Sequence, residues 1–93
     1  MEEMIKKIKL ARRIKTDAFD EEIRDLIQEG LADLGVAGVY GAISDPLIRR
    51  AVRTFALLNF GQPENYDKLK AAYDEQKAQL QMATGYTDWL KDA

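Results

Sequence analysis

Apolar residues recur three and four positions apart along almost the whole chain, and that spacing predicts helices rather than strands. Met4, Ile5, Ile8, Ala11 and Ile14 mark one face of a short first helix whose other face is basic. "KTDAFDEE" reads as a stop and a restart, after which Phe19, Ile23, Leu26, Ile27 and Leu34 continue the stripe. Thr16 or Asp17 is placed to cap this second helix. Asp20, Glu21 and Glu22 fall in its first turns, where the helix macrodipole favours negative charge. Gly35 stands where a left-handed residue would close it.

"DPLIRRAVRTFALLNF" restarts with Asp45 as cap and Pro46 at the first helical position, where its missing N–H costs nothing. Leu47, Ile48, Ala51, Val52, Phe55 and Leu58 give this third helix the broadest apolar face, so it should be central. Gly61 ends it. Pro63 is expected to open a fourth helix whose stripe runs Tyr66, Leu69, Tyr73, Gln76, Leu80 and Ala83 and whose end is Gly85. Gln76 thins that stripe, so the fourth helix should be more exposed than the third. Between the second and third helices, residues 35–44 hold three glycines and almost no charge before Asp45, which predicts an ordered, partly buried loop. "VAGVY" could extend briefly, but a lone strand has no partner in this chain. The fold expected is all-α: a small bundle of about four helices with one glycine-containing loop (35–44), a single domain over residues 1–85 and a short C-terminal tail over 86–93.

Composition narrows the chemistry. The chain has neither cysteine nor histidine, which excludes disulfides, thiolate nucleophiles, imidazole bases and the usual zinc ligands. With no credible catalytic motif among the remaining residue types, an enzyme is not expected, and neither is a cofactor. No apolar run approaches the roughly 20 residues that span a bilayer, and the opening "MEEMIKKIKLARRIK" lacks the stretch of a signal peptide, so the expectation is a cytoplasmic protein with no membrane partner. The net charge of -2 hides a block pattern. Residues 1–16 hold six Lys or Arg against two Glu, residues 17–45 one Arg against eight acids, residues 46–60 three Arg and no acid, and residues 61–93 four Lys against six acids. Alternating blocks of this kind suit complementary contacts within the chain or between copies better than a phosphate-binding surface. They are equally what solvated helix faces look like.

Three groups of residues invite a sharper reading. Asp17, Asp20, Glu21, Glu22 and Asp25 lie at helical spacing, but neither the spacing nor the glycine of a calcium loop is present, and acids at a helix start are the ordinary explanation. Gly35, Gly38 and Gly41 follow a helix where a dinucleotide fingerprint follows a strand, and no Lys-Ser/Thr pair comes after them. Arg49, Arg50 and Arg53 form the sharpest basic cluster beyond the first helix. A recognition helix in a DNA-binding regulator is one reading of them; pairing with the acidic second helix of this chain or of an adjacent copy is the other, and bidentate guanidinium contacts would then fix orientation.

The order of the pieces adds a resemblance. "DEEI.DLI" with "ADLG" following, "DPLI.RAV" opening a helix, and "YDKLK..YDEQKAQL" with a "GYTDW" tail together resemble, over nearly the whole chain, the small head-to-tail connector proteins of tailed bacteriophages and prophages, also described as DNA-packaging adaptors. The resemblance implies a structural protein of the virion, made in the bacterial host cytoplasm, that assembles as a ring of about a dozen copies on the portal vertex. Such a ring extends the channel through which DNA passes, without sequence-specific binding, and docks the next head-completion or tail protein. A helical DNA-binding regulator and a helical protein-binding module remain as alternatives.

The tail bears on the choice. Burying the ring of Trp89, the only tryptophan, is worth on the order of 4–6 kcal/mol as an upper bound. Tyr86, Trp89 and Leu90 therefore either fold back over the fourth helix or anchor on a neighbouring subunit or the portal. Arg49, Arg50, Arg53, Tyr86, Trp89 and Leu90 are the candidate interface residues. Deleting residues 86–93 is expected to leave the far-ultraviolet circular dichroism largely intact while impairing assembly; unfolding of the truncated chain would place the tail in its own core instead.

Overall fold

A computed structural model of the chain describes residues 2–61 and 63–83. Gly85, Tyr86, Trp89 and Leu90, and with them the expected tail, lie outside those residues. Four helices follow one another: α1 (Glu2–Ala11), α2 (Asp20–Val36), α3 (Pro46–Asn59) and α4 (Tyr66–Met82). No strand forms among the described residues, so "VAGVY" is not extended pairing structure. The protein is an all-α bundle.

α3 is the central helix, packed against each of the other three. Its start is built as its sequence dictates: the Asp45 carboxylate accepts from the backbone N–H of Leu47 (2.9 Å) and Ile48 (3.2 Å), and Pro46 occupies the first turn. Ile48, Ala51, Val52, Ala56 and Leu58 are buried, and Thr54, buried with them, satisfies its hydroxyl by donating to Arg50 O at 3.0 Å. Around them close Met4, Ile5 and Ile8 from α1, Ile23, Leu26, Ile27 and Leu34 from α2, and Tyr73 and Leu80 from α4. Each large aliphatic side chain in this single cluster contributes about 1.5–3 kcal/mol by leaving water. α4 buries only Tyr73 and Leu80, in keeping with its thinner stripe.

Several boundaries differ from the sequence expectation. Neither Thr16 nor Asp17 caps α2: the helix begins after Phe19, which makes no side-chain cap hydrogen bond, and the Thr16 hydroxyl instead accepts from Ala18 N–H at 3.2 Å inside the preceding turn. Gly35 is not the closing residue. α2 runs on to Val36, and the left-handed position falls to Gly38 (φ +84°). Gly38 N–H then donates to Gly35 O (3.0 Å) and Val39 N–H to Leu34 O (2.8 Å), the paired bonds of a Schellman ending, with Val39 and Leu34 both buried. The loop is shortened accordingly at its start, and Val39 ties it to the core. Pro63 likewise does not open α4, which starts three residues later with Asn65 at its cap position. Ala11, expected on the apolar face of α1, is exposed, while Ile14 packs against the core from beyond the helix end.

The same ending occurs after α1 without a glycine. Arg13 N–H donates to Leu10 O (3.2 Å) and Ile14 N–H to Lys9 O (2.8 Å), and Arg13 takes the left-handed conformation at φ 55°, at a cost of roughly 1–2 kcal/mol for a residue with a Cβ. The turn aims Arg12 at the far end of α3. Its Nη1 donates to Leu57 O at 3.1 Å, and its guanidinium lies 5.4 Å from the Phe60 ring centre. Phe60 in turn meets the Phe19 ring edge-on at 5.6 Å. A cation from α1 thus serves the open carbonyls at the C-terminus of α3, which carries no basic residue in its own last turn.

Gly30 of α2 is buried against Phe55 of α3. A Cβ there would stand 3.1 Å from Phe55 Cδ1. Gly30→Leu is therefore expected to destabilise the protein by about 1–3 kcal/mol or more through overpacking, measured as a lowered urea midpoint. A neutral result would mean that Phe55 can leave its place at no cost.

Candidate protein-interaction site

The three α3 arginines share the side of the helix away from the core but differ in their surroundings. Ile48, Ala51 and Val52 turn inward between them, so Arg49 and Arg53, four residues apart, share one half-buried strip, while the exposed Arg50 lies about a quarter-turn away. Arg50 Nη2 donates to Gln79 Oε1 of α4 at 3.3 Å. It lines a shallow hollow with Ala72, Glu75, Gln76 and Gln79, where Gln76 Oε1 is buried without a hydrogen bond among the described residues. Arg49 and Arg53 make no ion pair among the described residues. The expected pairing of these arginines with the acidic α2 of the same chain is thus not what forms. Helix periodicity places residues on faces but does not say which helix each face meets.

Of the acids of α2, Asp20 finds its cation on α1 and Asp33 on α4. Lys9 Nζ lies 2.8 Å from Asp17 Oδ1 and 2.9 Å from Asp20 Oδ1, and Arg24 Nη2 lies 2.9 Å from Glu2 Oε1. The basic first helix and the acidic second one therefore do pair within the chain, through α1. The hydrogen bond to Asp17, and then the contact with Asp20, raises the Lys9 ammonium pKa, and the bond to Lys9 lowers that of the Asp17 carboxyl. Asp17 and Asp20 thereby act as the counter-charges of Lys9. No group of three or more carboxylates is placed to hold a metal ion among the described residues.

At the other end of α2, Asp33 accepts a hydrogen bond from the Tyr73 hydroxyl and lies 3.5 Å from Lys77 Nζ. Lys77 is also 5.1 Å from the centre of the Tyr73 ring, whose edge meets Phe55. Tyr73 was legible as a stripe residue, but its carboxylate partner 40 positions away was not. Burial, reinforced by the bond to Asp33, pushes the Tyr73 phenol well above its ordinary range.

Large apolar side chains also reach solvent, among them Leu10, Val36, Tyr40, Leu47, Tyr66 and Met82. With Phe19, which is exposed as well, they are spread over all four helices and the segments before α2 and α3, and of them periodicity assigns Phe19, Leu47 and Tyr66 to core stripes, which the structure does not bear out. Of the six candidate interface residues, Tyr86, Trp89 and Leu90 lie outside the described residues. No helix among the described residues is long and apolar enough to cross a membrane.

Comparison of the chain with protein-family models, with curated proteins and with solved structures finds no match.

The Tyr73 environment makes stability depend on alkaline pH with a definite sign. The phenol holds its proton more tightly in the fold than in the unfolded chain, so its contribution is complete below about pH 10 and is lost as the pH rises beyond that value. Tyr73→Phe is expected to cost about 1–3 kcal/mol at about pH 8, where the bond to Asp33 is missing. The gap to the parent protein should narrow by about pH 11 in urea titrations. A gap that stays constant between the two would show that the fold does not hold this phenol neutral.

Proposed function

We propose that the chain is a head-to-tail connector of a tailed phage or prophage, a structural protein that forms a ring on the portal, extends the DNA channel and docks the next head-completion or tail protein. The order and spacing of "DEEI.DLI", "ADLG", "DPLI.RAV" and "YDKLK..YDEQKAQL" carry this reading. It is supported by where those pieces fall. "DEEI" opens α2, "DPLI" opens α3 on its Asp45 cap, and "YDKLK" opens α4. Each piece also carries core: Ile23, Leu26 and Ile27; Ile48, Ala51 and Val52; Tyr73 and Leu80.

In this reading the activity is assembly, and the molecule's work is done by its surfaces. Arg49 and Arg53, which keep their charge unpaired among the described residues, offer planar donors to carboxylates of a partner. Tyr86, Trp89 and Leu90 supply the apolar anchor. The partners are the portal, further copies of the chain and a later connector or tail protein, and the protein resides at the head-to-tail junction of the particle. DNA passes through the assembled channel without base-specific contact.

Electron microscopy of purified portal oligomers mixed with excess protein tests the reading. The expected result is an added ring of density on one face of the portal, with occupancy reduced in an Arg49→Glu/Arg53→Glu variant that retains its helical circular dichroism. Portals left bare at saturating protein would sink the proposal. Retention of duplex DNA at micromolar protein, falling steeply with salt, would move the function to nucleic-acid binding.

A further inference from the structure

Two faces of the molecule carry charges left without an ion pair among the described residues, and the two sets are opposite in sign. Around the end of α1, Lys6, Lys7, Arg13 and Lys15 are unpaired. Leu10 stands among them with 78% of its surface exposed, and it shares a shallow hollow with Lys6, Ile14 and Lys15. On the outer face of α2, Glu21, Glu22, Asp25 and Glu29 are unpaired. Asp25, Gln28, Glu29 and Ala32 line a second shallow hollow. The spacing 25, 29, 32, 36 brings Val36, 91% exposed, to the end of the same stripe.

We infer that these faces meet on neighbouring copies of the chain: Leu10, ringed by cations, seats on the α2 stripe of the next copy beside Ala32, and the flanking lysines and Arg13 face Glu29 and Asp25, with Glu21 and Glu22 extending the acidic face beyond them. The inference rests on the connector reading for the closure of such contacts into a ring, but the contact itself is independent of the portal. Charge complementarity selects the occupant. A basic rim meets an acidic face, and each carries an exposed apolar centre that gains by leaving water. Duplex DNA would use the cations, yet it offers nothing to Leu10 and would repel the acids of α2. The contact is heterologous, since each face repels its own copy, and a heterologous contact is what propagates around a ring. Lys9 already shows the chemistry within one chain, where it joins α1 to Asp17 and Asp20 at the start of α2.

The absence of native cysteine gives a clean test in the full-length chain. Leu10→Cys and Ala32→Cys place single thiols on the two exposed faces, to be joined by a short bis-maleimide at high protein concentration and again on portal. The expected result is a cross-linked dimer when the two single variants are mixed, little product from either alone, and a ladder from the double variant. Adding Lys6→Glu and Lys15→Glu to the Leu10→Cys chain should reduce dimer yield about tenfold. Adding Asp25→Lys and Glu29→Lys to its Ala32→Cys partner should restore it. Efficient cross-linking of Leu10→Cys to itself would overturn the inference, as would rings on portal that give no ladder, or no ladder under either condition. So would duplex DNA retention that Lys6→Glu/Lys15→Glu abolishes in the absence of cross-linking. A ladder in solution with portal left bare would uphold this contact while removing the connector reading.

Discussion

Phe55 is the piece around which the larger part of the bundle is arranged. On one side its ring presses on α2 where Gly30 has no side chain; on the other its edge meets Tyr73 of α4, with ring centres 5.4 Å apart. Tyr73 then reaches over to Asp33, three residues along α2 from Gly30. One aromatic side chain on α3 therefore sets the distance to α2, and through Tyr73 it sets the height of α4 as well. A larger residue at position 30 would push α2 away and, in doing so, carry Asp33 off its phenol. The α2–α3–α4 arrangement is specified by shape at Gly30 and by a hydrogen bond at Asp33, while the surrounding Ile and Leu side chains supply the bulk of the driving force.

Charge has a different task. The pairs formed by Lys9, Arg24 and Lys77 lie at or near the surface, where solvent screens them. They add little stability, but they fix which side of α2 faces α1 and which faces α4. What remains is an acidic outer stripe on α2 and a basic rim around Leu10. The block pattern along the chain is thus divided between internal orientation and outward display.

Much of the fold could be read from residue order. The isoleucines of α1, α2 and α3 fall on the faces that periodicity assigns them, and Asp45-Pro46 opens α3 because cap chemistry is local. Errors arose where a signal has two uses. A glycine can continue a helix as well as close it, and only the hydrogen bonds of Gly38 and Val39 distinguish Gly38 from Gly35. A proline can stand before a helix as well as begin it, as Pro63 does. Gly30 carried no sequence signal at all, since its value lies in the proximity of Phe55, 25 positions on. Candidate sites were less legible for the same reason. The α3 arginines cluster in sequence but meet different surroundings, Arg50 reaching α4 while Arg49 and Arg53 do not, and Leu10, which periodicity left off every core stripe, stands exposed at the centre of the basic rim.

Arg12 joins segments 45 residues apart by donating to Leu57 O, and this has a consequence for how the molecule opens. α1 enters the core through Met4, Ile5 and Ile8 on one short face. When α1 lifts, Arg12 leaves with it, and the last carbonyls of α3 lose their cation at the same moment that Phe60 loses its covering guanidinium. The N-terminal segment and the final turn of the central helix accordingly form one cooperative unit of local unfolding, linked by a side chain rather than by chain continuity.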